Sequence, residues 1–213
     1  MQINLPLETE RLILRDFVES DWPAVHCYAS DVEVVRFMQW GPNDEETTRA
    51  NMQRRLDDQR AYPRHSFELA VMLKSDGQLI GGCRLNIADA KSRQGRIAYL
   101  FNRNYWGRGY ATEATAAIIA FGFEQLGMHR IFATCDVKNF ASARVLEKVG
   151  MRREGLRRED ELLRGEWRDS YLYAILEQEW RNNARHLKRK KILELKGKVK
   201  WTGNLSEMRK KRI

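Results

Sequence analysis

Between Tyr105 and Ala114 the chain reads Tyr-Trp-Gly-Arg-Gly-Tyr-Ala-Thr-Glu-Ala. A strand-like run, Arg96 to Phe101, precedes this block, and a helix-like run, Thr112 to Leu126, follows it. Gly107 and Gly109 let the backbone turn sharply and approach a bound group that a Cβ would obstruct. Ala111 is also small. The first turn of the following helix leaves N–H donors unpaired beside a partial positive charge. Strand, glycine turn and helix start together predict an anion cradle, suited to a phosphate or diphosphate.

Spacing excludes two phosphate loops. A Walker-type loop needs two glycines five apart followed by Lys and Ser or Thr, and the chain has no such stretch. A dinucleotide fingerprint requires glycine three residues after Gly109, where Thr112 stands. An isolated Gly-x-Gly also reads as an ordinary turn, and a second block decides against that. After another strand-like run, Ile131 to Val137, comes Asn139-Phe-Ala-Ser142-Ala-Arg-Val-Leu-Glu-Lys148-Val-Gly150.

The two blocks together resemble the GNAT superfamily of acetyl-coenzyme A-dependent N-acetyltransferases, and within it the ribosomal-protein N-terminal enzymes of the RimJ/RimL type. The similarity runs from Leu7-Glu-Thr-Glu-Arg-Leu-Ile-Leu-Arg15 to Asp169-Ser-Tyr-Leu-Tyr-Ala-Ile-Leu176 and covers most of the first 181 residues. The family's pyrophosphate signature is Gln or Arg, two residues, Gly, one residue, then Gly or Ala. It falls on Trp106, Gly109 and Ala111. Trp106 departs from the pattern, which leaves backbone donation untouched.

The resemblance implies an α/β (α+β) fold of the GNAT type. That is a strongly twisted, mixed but mostly antiparallel sheet of about seven strands, splayed at its centre, with helices on both faces. It implies acetyl-CoA as co-substrate and no metal. Backbone groups of Leu100, Phe101 and Asn102 would pair with pantetheine as an added strand does. The diphosphate would lie on Trp106, Gly107, Arg108, Gly109, Tyr110, Ala111 and Thr112, with Asn139 and Ser142 nearer the sulfur. The reaction implied is direct attack by a primary amine. Ser142 would give a proton to the departing thiolate, and Glu161 would take one from the ammonium. Helix capping is the plain reading of Asn139 and Ser142, and a solvated face that of Glu159, Asp160 and Glu161. Strand alternation puts Glu159 and Glu161 on one side, so the choice between them stays open. Asp169 reads as structural. Phe37 and Trp40 are candidates for an apolar acceptor wall, with core packing the rival for Phe37.

The acceptor is expected to be a protein N-terminus or a small-molecule amine such as a polyamine or aminoglycoside. A free α-amine, with a pKa of about 8, sheds its proton far more easily than lysine. The rival function is a non-catalytic acyl-CoA-binding module. A homodimer fits the resemblance.

Composition limits the partners. A length of 213 residues suits one core, here the acetyltransferase domain at 1–181 followed by a basic extension at 182–213. That extension holds 12 of the 38 Lys and Arg but 2 of the 29 Asp and Glu, leaving 26 basic and 27 acidic residues before it. Weak, nonspecific contact with polyanions is the expectation for such a tail. No apolar run reaches the roughly 18–20 residues of a membrane helix, and the N-terminus lacks a signal-peptide pattern. Cys27, Cys83 and Cys135 read as buried thiols of a cytoplasmic protein. His26, His65 and His129 lack metal-ligand spacing.

Local signals predict a first helix capped by Ser20 and running to about Phe37. A second runs from about Asp44 to Arg60, with Asn43 and Glu46 as a capping box. A hairpin turns at Ser75-Asp76-Gly77, and two late strands turn at Arg164-Gly165.

Overall fold

A computed structural model of the chain describes residues 3–183. The basic extension lies outside the described residues except at 182 and 183. Eight strands among the described residues form one sheet: β1 (Leu7–Glu8), β2 (Leu12–Asp16), β3 (Ser66–Leu73), β4 (Leu79–Asp89), β5 (Gln94–Phe101), β6 (Arg130–Asp136), β7 (Arg152–Leu163) and β8 (Glu166–Leu176). Their spatial order is β1-β2-β3-β4-β5-β6-β8-β7, and every neighbouring pair is antiparallel except β5 and β6. The helices are α1 (Trp22–Ala29), α2 (Val32–Val35), α3 (Glu45–Arg60), α4 (Tyr110–Glu124) and α5 (Phe140–Lys148).

Strand alternation decides which residues meet which helices. Phe67, Leu69 and Val71 turn to one face, where Phe67 meets Phe121 of α4 edge-on at 5.2 Å. Ala70 turns to the other face and packs with Phe17, Val25, Tyr28 and Met52 beneath α1 and α3. Helices therefore cover both faces of the sheet, as two-sided burial of its apolar strands demands. Among the described residues no helix is long and apolar enough to cross a membrane.

The first helical region differs from expectation at its caps. Asp21, rather than Ser20, organises the entry: its carboxylate accepts from Val18 N–H at 2.9 Å and from the Arg15 guanidinium at 2.7 and 2.8 Å. The single helix expected through Phe37 breaks after Ala29. Ser30 turns its hydroxyl back to His26 O at 2.7 Å, and Asp31 caps a new helix through Glu33 N–H at 3.0 Å. Helix α3 is capped by Asp44, which accepts from Thr47 N–H at 2.7 Å, and not by Asn43. Asn43 is buried, and its N–H donates to Ala29 O at 3.0 Å. Cys27 is exposed, against expectation, while Cys83 and Cys135 are buried.

One seam of the sheet is open. Strands β4 and β5 pair continuously from Gly81↔Phe101 to Ile87↔Gly95. The parallel pair β5–β6 holds only from Gln94↔Arg130 to Arg96↔Phe132. Beyond Arg96 the two strands part, although β6 continues to pair with β8 as far as Asp136↔Ser170. This is the central splay, and the site is built around it.

Candidate active site

The cradle begins where β5 ends. Gly107 (φ +74°) and Gly109 (φ +82°) both adopt the left-handed conformation that favours glycine. Gly109 caps α4, and the first helical bond runs from Glu113 N–H to Gly109 O at 3.1 Å. Among the described residues, the consecutive N–H groups from Gly107 through Thr112 donate to no protein acceptor. Such a run of exposed donors at a helix start matches the oxygen-rich, doubly charged surface of a diphosphate.

A strut from the N-terminal region fixes this turn. Arg11 donates to Arg108 O at 3.1 Å and to the Glu113 carboxylate at 2.7 Å. Glu113 also accepts from the Thr9 hydroxyl at 2.6 Å and from Arg11 N–H at 2.9 Å. Burial acts to raise the Glu113 pKa, but those hydrogen bonds and the Arg11 charge outweigh it and hold the carboxyl below its ordinary value. Trp106 spends its indole N–H on Phe101 O at 2.8 Å. Its side chain thus shapes the turn, and its donor is already in use.

Along β5 the backbone donors divide. Asn102 N–H is bonded to Ile80 O at 2.9 Å. By the two-residue alternation of an antiparallel ladder, Leu100, opposite Gly82, also addresses β4. Neither offers the free edge expected of it. By the same alternation Tyr99 and Phe101 turn their backbone groups away from β4 toward the open seam, Phe101 with only its N–H left, since its carbonyl already accepts from Trp106.

A cavity of about 240 Å³ occupies the splay. Phe37, Trp40, Asn139, Ser142 and Glu161, drawn from three separate segments, all line it. Asn139 caps α5, its Oδ1 accepting from Ser142 N–H at 3.1 Å. That bond places Ser142 in the first turn of α5, where its Oγ lies 2.9 Å from the Tyr99 hydroxyl. The Tyr99 hydroxyl also lies 3.1 Å from Ser142 O. Burial pushes the Tyr99 phenol well above its ordinary pKa, with the Ser142 hydrogen bond opposing, so the phenol stays protonated. Cys135 lines the same cavity. Burial, then the charges of Asp136 and Glu147, raise its thiol to about 11 against a hydrogen bond from Ser142. A thiol at that value is almost wholly un-ionised at neutral pH and a poor nucleophile.

Residues 11–152 match the family model for an acetyltransferase (GNAT) domain. The chain belongs to the GNAT family. It is 38% identical over 177 residues to the uncharacterized N-acetyltransferase YnaD of Bacillus subtilis (strain 168), covering 82% of this chain and 98% of that protein. It is 25% identical over 186 residues to the [ribosomal protein uS5]-alanine N-acetyltransferase of Escherichia coli (strain K12), covering 83% of this chain and 95% of the relative. A GNAT-family acetyltransferase from Bacillus anthracis superposes with a TM-score of 0.73 at 36% identity, over 82% of this chain and 99% of that one. The protein is an acetyl-CoA-dependent N-acetyltransferase.

Within this GNAT enzyme the acidic run on β7 does not follow simple alternation. The register passes from Arg157↔Ser170 to Glu161↔Arg168, so residues 158–160 bulge opposite Asp169. Glu159 sits at φ +49°, is exposed, and donates its N–H to Asp169 Oδ1 at 2.8 Å. Asp160 is engaged by the Ser170 hydroxyl and by Arg157 at 2.7 Å. Of the three, only Glu161 lines the cavity. A bulge re-aims side chains in a way that period-two reasoning cannot anticipate.

Further residues of the site carried no motif. Arg164, at φ +49° beside Gly165 at +83°, forms a two-residue hairpin turn with both central residues left-handed. From there its guanidinium donates to Arg36 O at 3.0 Å and to Val35 O and Gly41 O at 3.3 Å, clamping the segment that carries Phe37 and Trp40. Tyr99, Arg84 and Arg96 also line the cavity. Among the described residues no cluster of three or more His, Cys, Asp or Glu could hold a metal ion.

Proposed function

We propose that this enzyme acetylates the N-terminal α-amine of a protein, of the ribosomal-protein type, by direct attack of the amine on the acetyl thioester. The bound acetyl-CoA supplies an acyl carbon that is already activated. The protein's own task is to bind, align and move protons. The N–H groups of Gly107 to Thr112 hold the diphosphate, and the backbone of Tyr99 and Phe101 meets the pantetheine arm in the open seam. Glu161 takes a proton from the incoming ammonium. Ser142 gives its hydroxyl proton to the departing thiolate and regains one from the nitrogen, which sheds its second proton as the amide forms. The Tyr99 phenol, 2.9 Å from Ser142 Oγ and donating to Ser142 O at 3.1 Å, holds the serine in place. The observation that carries the reading is the presence of Ser142 and Glu161 on one small cavity at the parted strands, walled by Phe37 and Trp40.

Acceptor chemistry supports the α-amine. At neutral pH, deprotonation costs on the order of 1 kcal/mol for an α-ammonium and about 4–5 kcal/mol for a lysine. An unassisted carboxylate manages the first more readily. Likeness to the uS5-alanine enzyme adds support.

The test compares thiol release from acetyl-CoA with three acceptor sets: short peptides with free N-termini, the same peptides N-blocked but containing lysine, and polyamines. Free N-termini should be turned over at least tenfold faster than either other set. Faster turnover of the blocked peptides or polyamines would overturn the assignment.

A further inference from the structure

The charges lining the acceptor cavity are unequally satisfied. Arg84 of β4 and Arg96 of β5 both border it. The pairs Arg84↔Ala98 and Asn86↔Arg96 make them diagonal neighbours on one face of the sheet, the face that also carries Ala70 and Glu68. Side chains so placed stand roughly 7–8 Å apart, close enough to repel and to share one anion. The obvious counter-ion is taken, because Glu68, opposite Arg84, is bound by Arg55 Nε at 2.6 Å. Arg96 donates to the Thr134 hydroxyl at 3.0 Å, a neutral partner. Arg84 is half-buried, and its guanidinium has no hydrogen bond or ion pair with any described residue.

A partly desolvated guanidinium with no partner is unfavourable in the free protein, and an anionic ligand group removes that cost on binding. On the acidic side, Asp136 is occupied in part by Lys138 N–H at 2.7 Å, while the Glu161 side chain lines the cavity with no hydrogen bond or ion pair to any described residue. One unpaired carboxylate and one unpaired guanidinium in about 240 Å³ describe a receptor for a compact group bearing both charges.

We infer that Arg84, with Arg96 beside it, forms a subsite for an anionic group of the acceptor, so that the enzyme selects an amine carrying a carboxylate a few bonds from the nitrogen it acetylates. In the N-terminal reading, on which the peptide form of this inference rests, the carboxylate is an Asp or Glu side chain in the first residues. A free acidic amino acid presents the same chemistry. A polyamine does not, and would set further positive charge against Arg84.

The experiment measures kcat/KM, at saturating acetyl-CoA, for N-terminal peptides that differ only in carrying Glu, Gln or Lys at the second residue, together with free glutamate and spermidine. The Glu peptide should exceed the Lys peptide by about 10–100-fold, the range of one charge-assisted hydrogen bond. The same order should appear in calorimetric binding of the peptides to enzyme loaded with coenzyme A. Arg84→Met should collapse the Glu-to-Gln ratio, Arg84→Lys should retain part of it, and Arg84→Glu should shift preference toward Lys. Coenzyme A affinity of each variant reports that it is folded. Equal turnover of the three peptides by wild-type enzyme overturns the inference and leaves the N-terminal reading intact, and this arm needs no variant. Acetylation of free glutamate but of no peptide supports the anion subsite and overturns the N-terminal reading. A folded Arg84→Met enzyme with the wild-type ratio overturns the assignment to Arg84, and preference for spermidine overturns both.

Discussion

From Gly107 to Thr112 the binding capacity belongs to the main chain, with a run of N–H groups left without acceptors by two left-handed glycines and a helix start. In the neighbouring cavity it belongs to side chains, brought from β4, β5, β6, α5, β7 and the segment after α2. The contrast separates two kinds of tolerance. The cradle should be sensitive to anything that changes backbone conformation and indifferent to many side-chain exchanges. The cavity should be sensitive to single functional groups while its backbone tolerates conservative change. Cofactor grip and acceptor chemistry should therefore be separable, coenzyme A affinity reporting the first and amine turnover the second.

Glu161→Gln removes the proposed proton acceptor without changing size. We expect kcat/KM for the amine to fall by roughly 100–10,000-fold, most steeply at low pH where less free amine is present, with coenzyme A affinity within about twofold of wild type. If Glu159→Gln produces that loss instead, the base has been placed on the wrong side of the bulge. Gly109→Asp acts on the other region. A side chain at φ +82° is strained, and a carboxylate there opposes the diphosphate. Calorimetry should show coenzyme A affinity reduced at least 100-fold, and unchanged affinity would break the assignment of the cradle.

Ser142→Ala should reduce kcat by about 10–100-fold with a smaller change in cofactor affinity. Tyr99→Phe should reproduce part of that loss, because it removes the group that holds the serine hydroxyl. A wild-type rate in Ser142→Ala would eliminate the thiolate donor.

The smallest effect concerns the strut beneath the cradle. The Glu113 pKa is depressed in the folded protein, so its charge contributes stability that is fully present above the unfolded carboxylate value, near ~4.3. That contribution is lost as pH falls through the lower folded value. Glu113→Gln should lower the urea midpoint at pH 7, and the gap to wild type should close progressively below about pH 4. A gap independent of pH would mean that the carboxylate charge is not what ties Arg11 to the turn.

Contiguity decided what could be read from the sequence. The cradle spans a few adjacent residues whose chemistry is local, so Gly107, Gly109 and the start of α4 were legible from spacing. Ser142 and Asn139 were legible for the same reason, since a cap and its first-turn partner lie three residues apart. The hairpin at Ser75-Asp76-Gly77 also formed where its turn residues placed it, with Gly77 N–H on Leu73 O at 2.9 Å. Arg84, Arg96 and Tyr99 were not legible, because nothing near them in sequence distinguishes a strand residue that faces solvent from one that faces a gap. That gap exists only because β5 and β6 stop pairing after Arg96 and Phe132, a property of two strands more than thirty residues apart. The bulge opposite Asp169 and the Arg164 clamp depend likewise on tertiary register. Cap positions slipped by one residue at both Ser20 and Asn43, where several short polar residues compete for the same N–H groups.

The central claim is that main-chain donors grip the diphosphate while the cavity aligns amine and thioester. A crystal structure of the protein with coenzyme A tests it most directly. The account predicts diphosphate oxygens at about 2.7–3.2 Å from N–H groups between Gly107 and Thr112, with the thiol entering the β5–β6 seam beside Ser142. A diphosphate bound by side chains elsewhere, or a thiol that does not reach the seam, would contradict it.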